Sequence, residues 1–242
     1  MSESFSNVYE DAKRAEAYDK LEFPGTYYLA YRDLPELFLR HVRGEMALDF
    51  GCGAGRSTRF LKQIGFDAIG VDISQDMLTR AHHRDPEGIY LLAEDNGSLD
   101  VLAESHFDLI FSAFTFDNIP TGEHKLSLLK TLRSHLNPTG RIVNLVSSPD
   151  IYTHEWASFT TKDFPENKLA KSGDQVKIVM TDVEDNRPVI DVMWSDEAYR
   201  DLYHQSALSV IEKHSPLGKP EETFAWKSET TVAPWTIYVL GI

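Results

Sequence analysis

The sequence predicts an α/β fold built on a mostly parallel sheet with helices on both faces. Three observations predict it. Short apolar runs alternate with helical spacing between residues 46 and 146. A glycine-rich loop follows the first of these runs at Gly51, Gly53 and Gly55. The chain has 242 residues, enough for one ample domain, or one domain with an insertion, to bury a core without disulfides or metal.

The elements follow in order. Residues 46–50 form a short apolar run that ends in glycines, which reads as a buried strand. Phe60, Leu61 and Ile64 keep helical spacing, and Gly65 stands where a helix would end. Residues 68–71 read as a second strand. Ser74 caps a helix that turns Met77, Leu78 and Ala81 inward. Residues 89–92 and 109–111 read as the third and fourth strands. Leu126, Leu129, Leu132 and Leu136 mark one helical face, stopped by Pro138 and Gly140, before a fifth strand at 141–146. Strand and helix at this rhythm mean βαβ units with right-handed crossovers.

The second half is less regular. Runs at 176–180 and 189–194 flank a charged turn at 182–188 and predict an inserted antiparallel hairpin. Ser195 caps a helix bearing Tyr199, Leu202 and Tyr203. Residues 208–212 and 236–240 are the last two strands, and an antiparallel final strand fits a mixed sheet. Four segments are expected: an N-terminal helical cap over 1–45, a ligand-binding core over 46–149, a cap insertion over 150–195, and a helix with strands over 196–242 that completes the core sheet.

Composition narrows the partners. Lys and Arg number 24 against 38 Asp and Glu, a formal charge of −14. So acidic a chain repels phosphate backbones and anionic membrane surfaces, so neither nucleic acid nor membrane is expected as partner. The richest basic patch, 162–177, is interleaved with acids. The first twenty residues carry no apolar signal core, and no run approaches 18 continuous apolar residues. With Cys52 alone, no internal disulfide forms. A cytoplasmic protein, monomer or homodimer, is expected. Tyr9, Tyr18, Tyr27, Tyr28 and Tyr31 crowd the start, and Trp156, Trp194, Trp226 and Trp235 all fall late. Aromatics with polar tips suit half-wet walls, so both ends are candidates for a lid over the core. Plain sheet cover is the ordinary alternative.

The glycine loop carries the most information. It lacks the lysine of a phosphate-binding GxxxxGK[ST] loop. A dinucleotide site wants GxGxxG, but here Gly55 comes one position early and Arg56 follows. Asp49, at the end of the first strand, opposes a pyrophosphate and suits a ligand with a cationic amino group. Asp72 closes the second strand, where an acid accepts from ribose hydroxyls. Glu94 and Asp95 follow the third, where a carboxylate accepts from an adenine amino group and the Asn96 backbone meets the ring nitrogen. Each acid alone has a local reading: a turn residue, a pre-cap for Ser74, a solvated side chain. Together they point to a cationic nucleoside such as S-adenosylmethionine.

These residues carry a family resemblance. Residues 47–55 (ALDFGCGAG), 70–74 (GVDIS), 107–112 (FDLIFS) and 136–142 (LNPTGRI) resemble successive motifs of the class I S-adenosylmethionine-dependent methyltransferases. The third motif departs from the family, with 92–96 reading LAEDN. The resemblance implies a Rossmann-like sheet of seven strands with the last reversed, a substrate-choosing cap, and methyl transfer from a sulfonium. It implies cofactor contacts from Asp49, Gly51, Cys52, Gly53, Gly55, Asp72, Ile73, Asp95, Asn96 and Ser112.

The acceptor is expected past the fourth and fifth strands, under the cap. Phe114 and Phe116 are candidates for the floor, and Asp117 with Asn118 is a polar pair at a strand end. Tyr152 and Trp156 are candidates to sandwich a planar substrate, and His154 is the best candidate base because imidazole titrates near neutrality. Tyr28 and Arg32 lie one turn apart on an expected helix, where Arg32 is a candidate to clamp the cofactor carboxylate. No metal-ligand pattern such as HExxH or paired CxxC is present. The expected function is methyl transfer to a nitrogen, oxygen or carbon atom of a small molecule, aligned by proximity. The rivals are a cofactor-binding regulatory protein of the same fold and an NAD-dependent oxidoreductase.

Overall fold

The computed structural model describes residues 23–94, 98–185 and 187–242. The apolar runs become strands: β1 (Met46–Phe50), β2 (Asp67–Asp72), β3 (Ile89–Leu92), β4 (Phe107–Ala113) and β5 (Leu136–Ser147). After them come β6 (Phe159–Thr160), β7 (Gln175–Met180), β8 (Val189–Val192), β9 (Ser209–His214) and β10 (Trp235–Gly241). The helices are α1 (Thr26–Arg32), α2 (Leu34–His41), α3 (Arg56–Gln63), α4 (Gln75–Arg84), α5 (Gly122–Ser134) and α6 (Asp196–Gln205).

Seven strands form one sheet in the order β3-β2-β1-β4-β5-β10-β9. β10 runs antiparallel to both neighbours, and the rest of the sheet is parallel. This is the mixed sheet the sequence predicts. Its strands alternate between two apolar layers. Ala47, Leu109, Phe111, Val143 and Ile237 face one, while Leu48, Ile110, Ile142 and Tyr238 face the other. Parallel strands buried on both faces read as continuous apolar runs, which is why they were legible.

The chain steps outward from β1 to β3 and then returns to the other side of β1. β1 therefore pairs with both β2 and β4, and the strand order reverses there. The carboxyl ends of β1 and β4 part at that point and leave a crevice.

Caps form where side-chain oxygens were expected. Ser74 accepts from the Met77 N–H at 3.4 Å, and Ser195 from the Ala198 N–H at 3.2 Å. Two local readings change. Leu136 belongs to β5, and the buried face of α5 is Lys125, Leu128, Leu129 and Leu132, with Leu126 only half-buried. A leucine repeat of three or four continues into a strand without changing its spacing, so periodicity alone misplaces the boundary. The inserted hairpin gains a third strand, giving the antiparallel order β6-β7-β8. β6 is two residues long and leaves no pattern to read.

The smaller sheet is fastened to both ends of the larger unit. Thr26 on α1 and Ser158 exchange two hydrogen bonds of 3.0 Å. Trp235 at the start of β10 donates its indole N–H to the Thr26 carbonyl at 2.8 Å. The late tryptophans and early tyrosines thus meet: Tyr27 stacks on Trp235 with centroids 5.8 Å apart. Residues 1–22 of the expected N-terminal cap, Tyr9 and Tyr18 among them, lie outside the described residues.

Candidate functional site

A cavity opens at the strand-order reversal. One wall is the glycine loop, with Gly51, Cys52, Gly53 and Ala54, joined by Ser57, Asp72 and Ile73. The loop exists because β1 ends in residues free to turn back. Gly51 has φ +74°, and a Cβ there would collide with Thr115 from the turn after β4. Gly53 has φ +52°, and its N–H donates to Asp72 at 2.8 Å. The other Asp72 oxygen accepts from the Ser74 N–H at 2.8 Å. One carboxylate thus fixes both the loop and the start of α4 while lining the cavity. Burial raises its pKa.

Asp49 sits one layer below. It is wholly buried and does not line the cavity. Its Oδ2 accepts from the hydroxyls of Ser57 and Thr58, each at 2.6 Å. Its Oδ1 is buried without a partner. Burial, with the Asp72 charge adding, pushes its pKa up to about 6 against the two hydroxyl bonds. Asp49, expected in the wall, therefore stands behind it. Ser57 spends its single proton on Asp49, so toward the Tyr31 hydroxyl and the cavity it lines its oxygen can only accept. Gly55 is also set back: it starts α3 in a left-handed conformation at φ +76° and is not in the wall. Ser112 is wholly buried outside the lining, its hydroxyl without a partner.

Cys52 and Ile73 do line the cavity, and burial, with the charges of Asp49 and Asp72 adding, pushes the Cys52 thiol pKa well up. Glu94 lines it as well. Asp95 and Asn96 lie outside the described residues.

Several expected contacts go elsewhere. Arg32 forks onto Asp33 at 2.7 and 2.9 Å and reaches Glu222 at 2.9 Å and the Leu217 carbonyl at 3.0 Å, away from the cavity. Tyr28 packs on Phe224, with centroids 4.9 Å apart. Two arginines of α3, Arg56 and Arg59, line the cavity instead, and the Arg56 guanidinium lies over the rings of Phe23, Tyr27 and Tyr31 at 5.2 to 5.6 Å. The sequence offered a signal for it in the position after the third glycine, where it was read only as a departure from GxGxxG.

On the acceptor side, Phe116 is core, wholly buried and 6.2 Å from Phe50 between centroids, while Phe114 lines the cavity. Phe114 adopts φ +62°, a strained conformation for a non-glycine residue, and the chain then winds into a short turn over 115–118. Asp117 and Asn118 line the cavity. Asp117 accepts from the Ser147 N–H at 3.0 Å, and burial raises its pKa to about 6. Behind it, wholly buried Lys125 donates to the Phe116 carbonyl and lies 5.1 Å from the Trp194 ring centroid. Its pKa falls to about 7 through burial, opposed by the charges of Asp117 and Asp191.

Three cap residues expected in the wall do not line it. His154 is half-buried and off the cavity, with Nδ1 3.1 Å from the Asp150 carbonyl and from the Thr153 hydroxyl. The short turn at 149–152 carries it away from the wall. Trp156 is wholly buried, with its indole N–H donating to the Ile151 carbonyl at 2.7 Å. Tyr152 is buried behind the wall and donates its hydroxyl to Asp191 at 3.0 Å. Asp191, from β8, is the lining residue. Its role was hidden because β8 reads as a generic strand. Among the described residues no three His, Cys, Asp or Glu side chains group to hold a metal ion, and no helix is long and apolar enough to cross a membrane.

The donor set fits S-adenosylmethionine. A partnerless buried carboxylate oxygen at Asp49, the Ser57 lone pairs and Asp72 stand beside a loop kept free of side chains at Gly51 and Gly53. Known proteins agree. Residues 47–140 match the family model described as a methyltransferase domain. A ubiquinone biosynthesis O-methyltransferase of Methylococcus capsulatus is 34% identical over 82 residues, 33% of this chain and 35% of that protein. A cypemycin N-terminal methyltransferase of a Streptomyces species is 33% identical over 106 residues, 42% and 41% of the two chains. Each of these alignments therefore spans less than half of the relative's own length. The solved structure of an S-adenosylmethionine-dependent methyltransferase from Clostridium acetobutylicum shares the fold, with a TM-score of 0.64 and 16% identity over 98% of this chain and 99% of that one. Residues 47–140 thus match a methyltransferase domain, and the sheet they help to build has the fold of a solved S-adenosylmethionine-dependent methyltransferase.

Proposed function

We propose that this protein transfers the methyl group of S-adenosylmethionine to a small-molecule acceptor held under the cap. The observation that carries the reading is a single cavity lined both by the glycine loop with Asp72 and by Asp117, Asp191 and the aromatic cap residues. Bound at the loop end, the cofactor supplies a methyl carbon already activated by a sulfonium, so the protein contributes alignment and electrostatics. Asp72 and Glu94 take the ribose and base ends, Ser57 backed by Asp49 takes the amino group, and Arg56 takes the carboxylate. Tyr27, Tyr31 and Phe114 exclude water around the reacting atoms.

The named relatives include both an O-methyltransferase and an N-terminal methyltransferase. The acceptor atom is therefore best sought in the cavity's own chemistry. Calorimetry with S-adenosylhomocysteine tests the cofactor half of the proposal. The native protein is expected to bind one equivalent, and Asp72→Ala to lose most of that affinity. Failure of the native protein to bind overturns the proposal.

A further inference from the structure

Lys125 is a wholly buried lysine to which the methyl-transfer reading gives no task. An ammonium leaves water only where partners meet it. Its Nζ donates to the Phe116 carbonyl, in the peptide group that leads into Asp117. The ring centroids of Trp194 and Tyr199 lie 5.1 and 5.8 Å from it. The charges it faces are those of Asp117 and Asp191, which prop up a pKa that burial lowers. Asp117 lines the cavity and Lys125 does not, so the ammonium stands behind the carboxylate and out of reach of a ligand. The turn that carries Asp117 is pinned at each residue. Thr115 donates its hydroxyl to the Phe50 carbonyl at 3.0 Å, and the Phe116 carbonyl accepts from Lys125. The Asp117 N–H and the Asn118 amide both donate to the Phe114 carbonyl, at 3.2 and 3.1 Å.

The Asp117 carboxylate keeps a place for a ligand. Its Oδ2 accepts from the Ser147 N–H at 3.0 Å, and the hydroxyls of Ser147 and Tyr199 also face it. The Ser147 hydroxyl has one proton, and the Tyr152 phenol faces that hydroxyl as well. An ionised carboxylate accepts about four hydrogen bonds, so one place is left even with all three of those donors engaged. The surroundings then select by charge. Lys125 compensates Asp117 from behind, so a cationic ligand finds no unpaired carboxylate there. Asp191 also lines the cavity, and its charge with that of Asp117 opposes an anion. A neutral group with one proton to give meets both conditions. The rest of this wall is apolar. Phe114, Phe159 and Trp235 line it, with the first two centred 4.8 and 5.8 Å from Trp235. Trp235 pairs with Ser147 across β10 and β5, which sets these rings beside the anchor of Asp117. Their carbon surface takes up hydrocarbon and aromatic bodies.

We propose that the acceptor is a neutral hydroxyl on an apolar or aromatic body, that Asp117 receives its proton during methyl transfer, and that Lys125 is a positioning residue that keeps Asp117 ionised and in place. This inference rests on the methyl-transfer reading above. A hydroxyl is a poor nucleophile while it keeps its proton, so this acceptor needs a base. Burial raises the Asp117 carboxyl to about 6, which makes it a better proton acceptor than an exposed acid, and the Lys125 charge opposes a further rise. In the step itself the O–H proton passes to Asp117 and an oxygen lone pair forms the O–C bond. The C–S bond breaks with its electron pair staying on sulfur. Positive charge leaves sulfur as negative charge leaves Asp117, so the step removes both charges from a buried place. The methyl ether departs, and the Asp117 proton passes to solvent.

The test uses the full chain. Calorimetry on the protein saturated with S-adenosylhomocysteine compares phenol, 2-naphthol and 4-phenylphenol with the arylmethylamine and the arylcarboxylate of each body. At least one hydroxyl probe is expected to bind about tenfold or more tighter than both of its charged counterparts. Transfer of a labelled methyl group from S-adenosylmethionine to that probe is then followed against pH, and its rate is expected to rise as a group near 6 ionises. Asp117→Asn keeps an oxygen for the Ser147 N–H and is expected to slow transfer about a hundredfold or more while the probe still binds. Lys125→Met removes the charge at similar length, and Lys125→Gln removes it but keeps a donor for the Phe116 carbonyl. Both are expected to move the rise in rate to higher pH, whereas a lysine that only filled space would leave the profile where it is. Carbon-13 spectra of the native protein against Asp117→Asn read the Asp117 carboxyl directly, without the lysine variants. Charged probes that match the hydroxyls, no binding by any hydroxyl, an undiminished rate in Asp117→Asn, a profile unmoved by loss of the Lys125 charge, or an Asp117 carboxyl that titrates like an exposed one each overturn the inference. If S-adenosylhomocysteine itself fails to bind, the methyl-transfer reading falls and takes this one with it. Nucleoside binding without preference for the hydroxyl removes this one alone.

Discussion

Thr26 donates its hydroxyl to the carboxylate of Glu229 at 2.7 Å, joining positions 203 residues apart in the sequence. The same Glu229 oxygen accepts from the Ala157 N–H at 2.7 Å, and its other oxygen from the Lys227 N–H at 2.8 Å. One wholly buried carboxylate therefore fastens α1, the segment leading into β6 and the stretch before β10. Glu229→Ala leaves these donors buried without an acceptor and is expected to cost about 2–3 kcal/mol. Urea unfolding of the two proteins measures it. Glu229→Gln, which keeps one acceptor oxygen, is expected to lose less.

Asp49 makes stability and cofactor affinity respond to pH in opposite senses. Its carboxyl lies near 3.8 when unfolded and at about 6 when folded. The folded state therefore binds the proton more tightly, so the contribution of Asp49 to stability falls as pH rises between those values and is constant above. A cationic amino group beside Ser57 favours the ionised form, so S-adenosylhomocysteine affinity is expected to drop as pH falls below about 6. Asp49→Asn is expected to flatten both dependences, read from urea midpoints and calorimetry at several pH values.

Arg56 and Arg32 separate the site from its surroundings. Arg56→Ala is expected to weaken S-adenosylhomocysteine binding about tenfold or more, through loss of the carboxylate contact proposed for it, and Arg56→Lys to restore only part of it. Arg32→Ala, which breaks ion pairs with Asp33 and Glu222, is expected to leave that affinity unchanged. The two dissociation constants measured side by side decide between them.

Gly51→Ala tests the loop geometry. An alanine at φ +74° costs about 1–2 kcal/mol in backbone strain alone, and its methyl meets Thr115 as well. Thr115 also donates to the Phe50 carbonyl at 3.0 Å, so moving it loosens the loop's anchor to the turn after β4. A lowered melting temperature together with weaker cofactor binding is the expected pair of results.

The sheet and the loop were legible because their signals are local. A buried parallel strand is a short apolar run, and a loop that must turn tightly is rich in glycine. Asp72 was legible for the same reason, since it directly ends a strand. The acceptor side was not. Phe114 and Phe116 are two residues apart on one chain, and strand alternation would put them on the same face. The left-handed turn at Phe114 breaks that alternation and sends Phe116 into the core. Arg32 and Arg56 are equally basic in sequence, and only the packing of Asp33 and Glu222 around one of them tells them apart. Tyr152 and His154 lie behind the wall while Ile151 of the same short turn lines it, because one step along such a turn changes which side chain looks inward. Nothing local in the sequence marks Lys125 as buried; the Trp194 and Tyr199 rings that pack on it come from a distant part of the chain.

The cap strand β8 shares no hydrogen-bonded ladder with the seven-stranded sheet, yet it delivers Asp191 to the cavity. On the reading proposed above, grip on the nucleoside and choice of acceptor fall on separable pieces of backbone. Exchange of the small sheet is then expected to change which acceptor is used while S-adenosylhomocysteine affinity at the glycine loop stays the same.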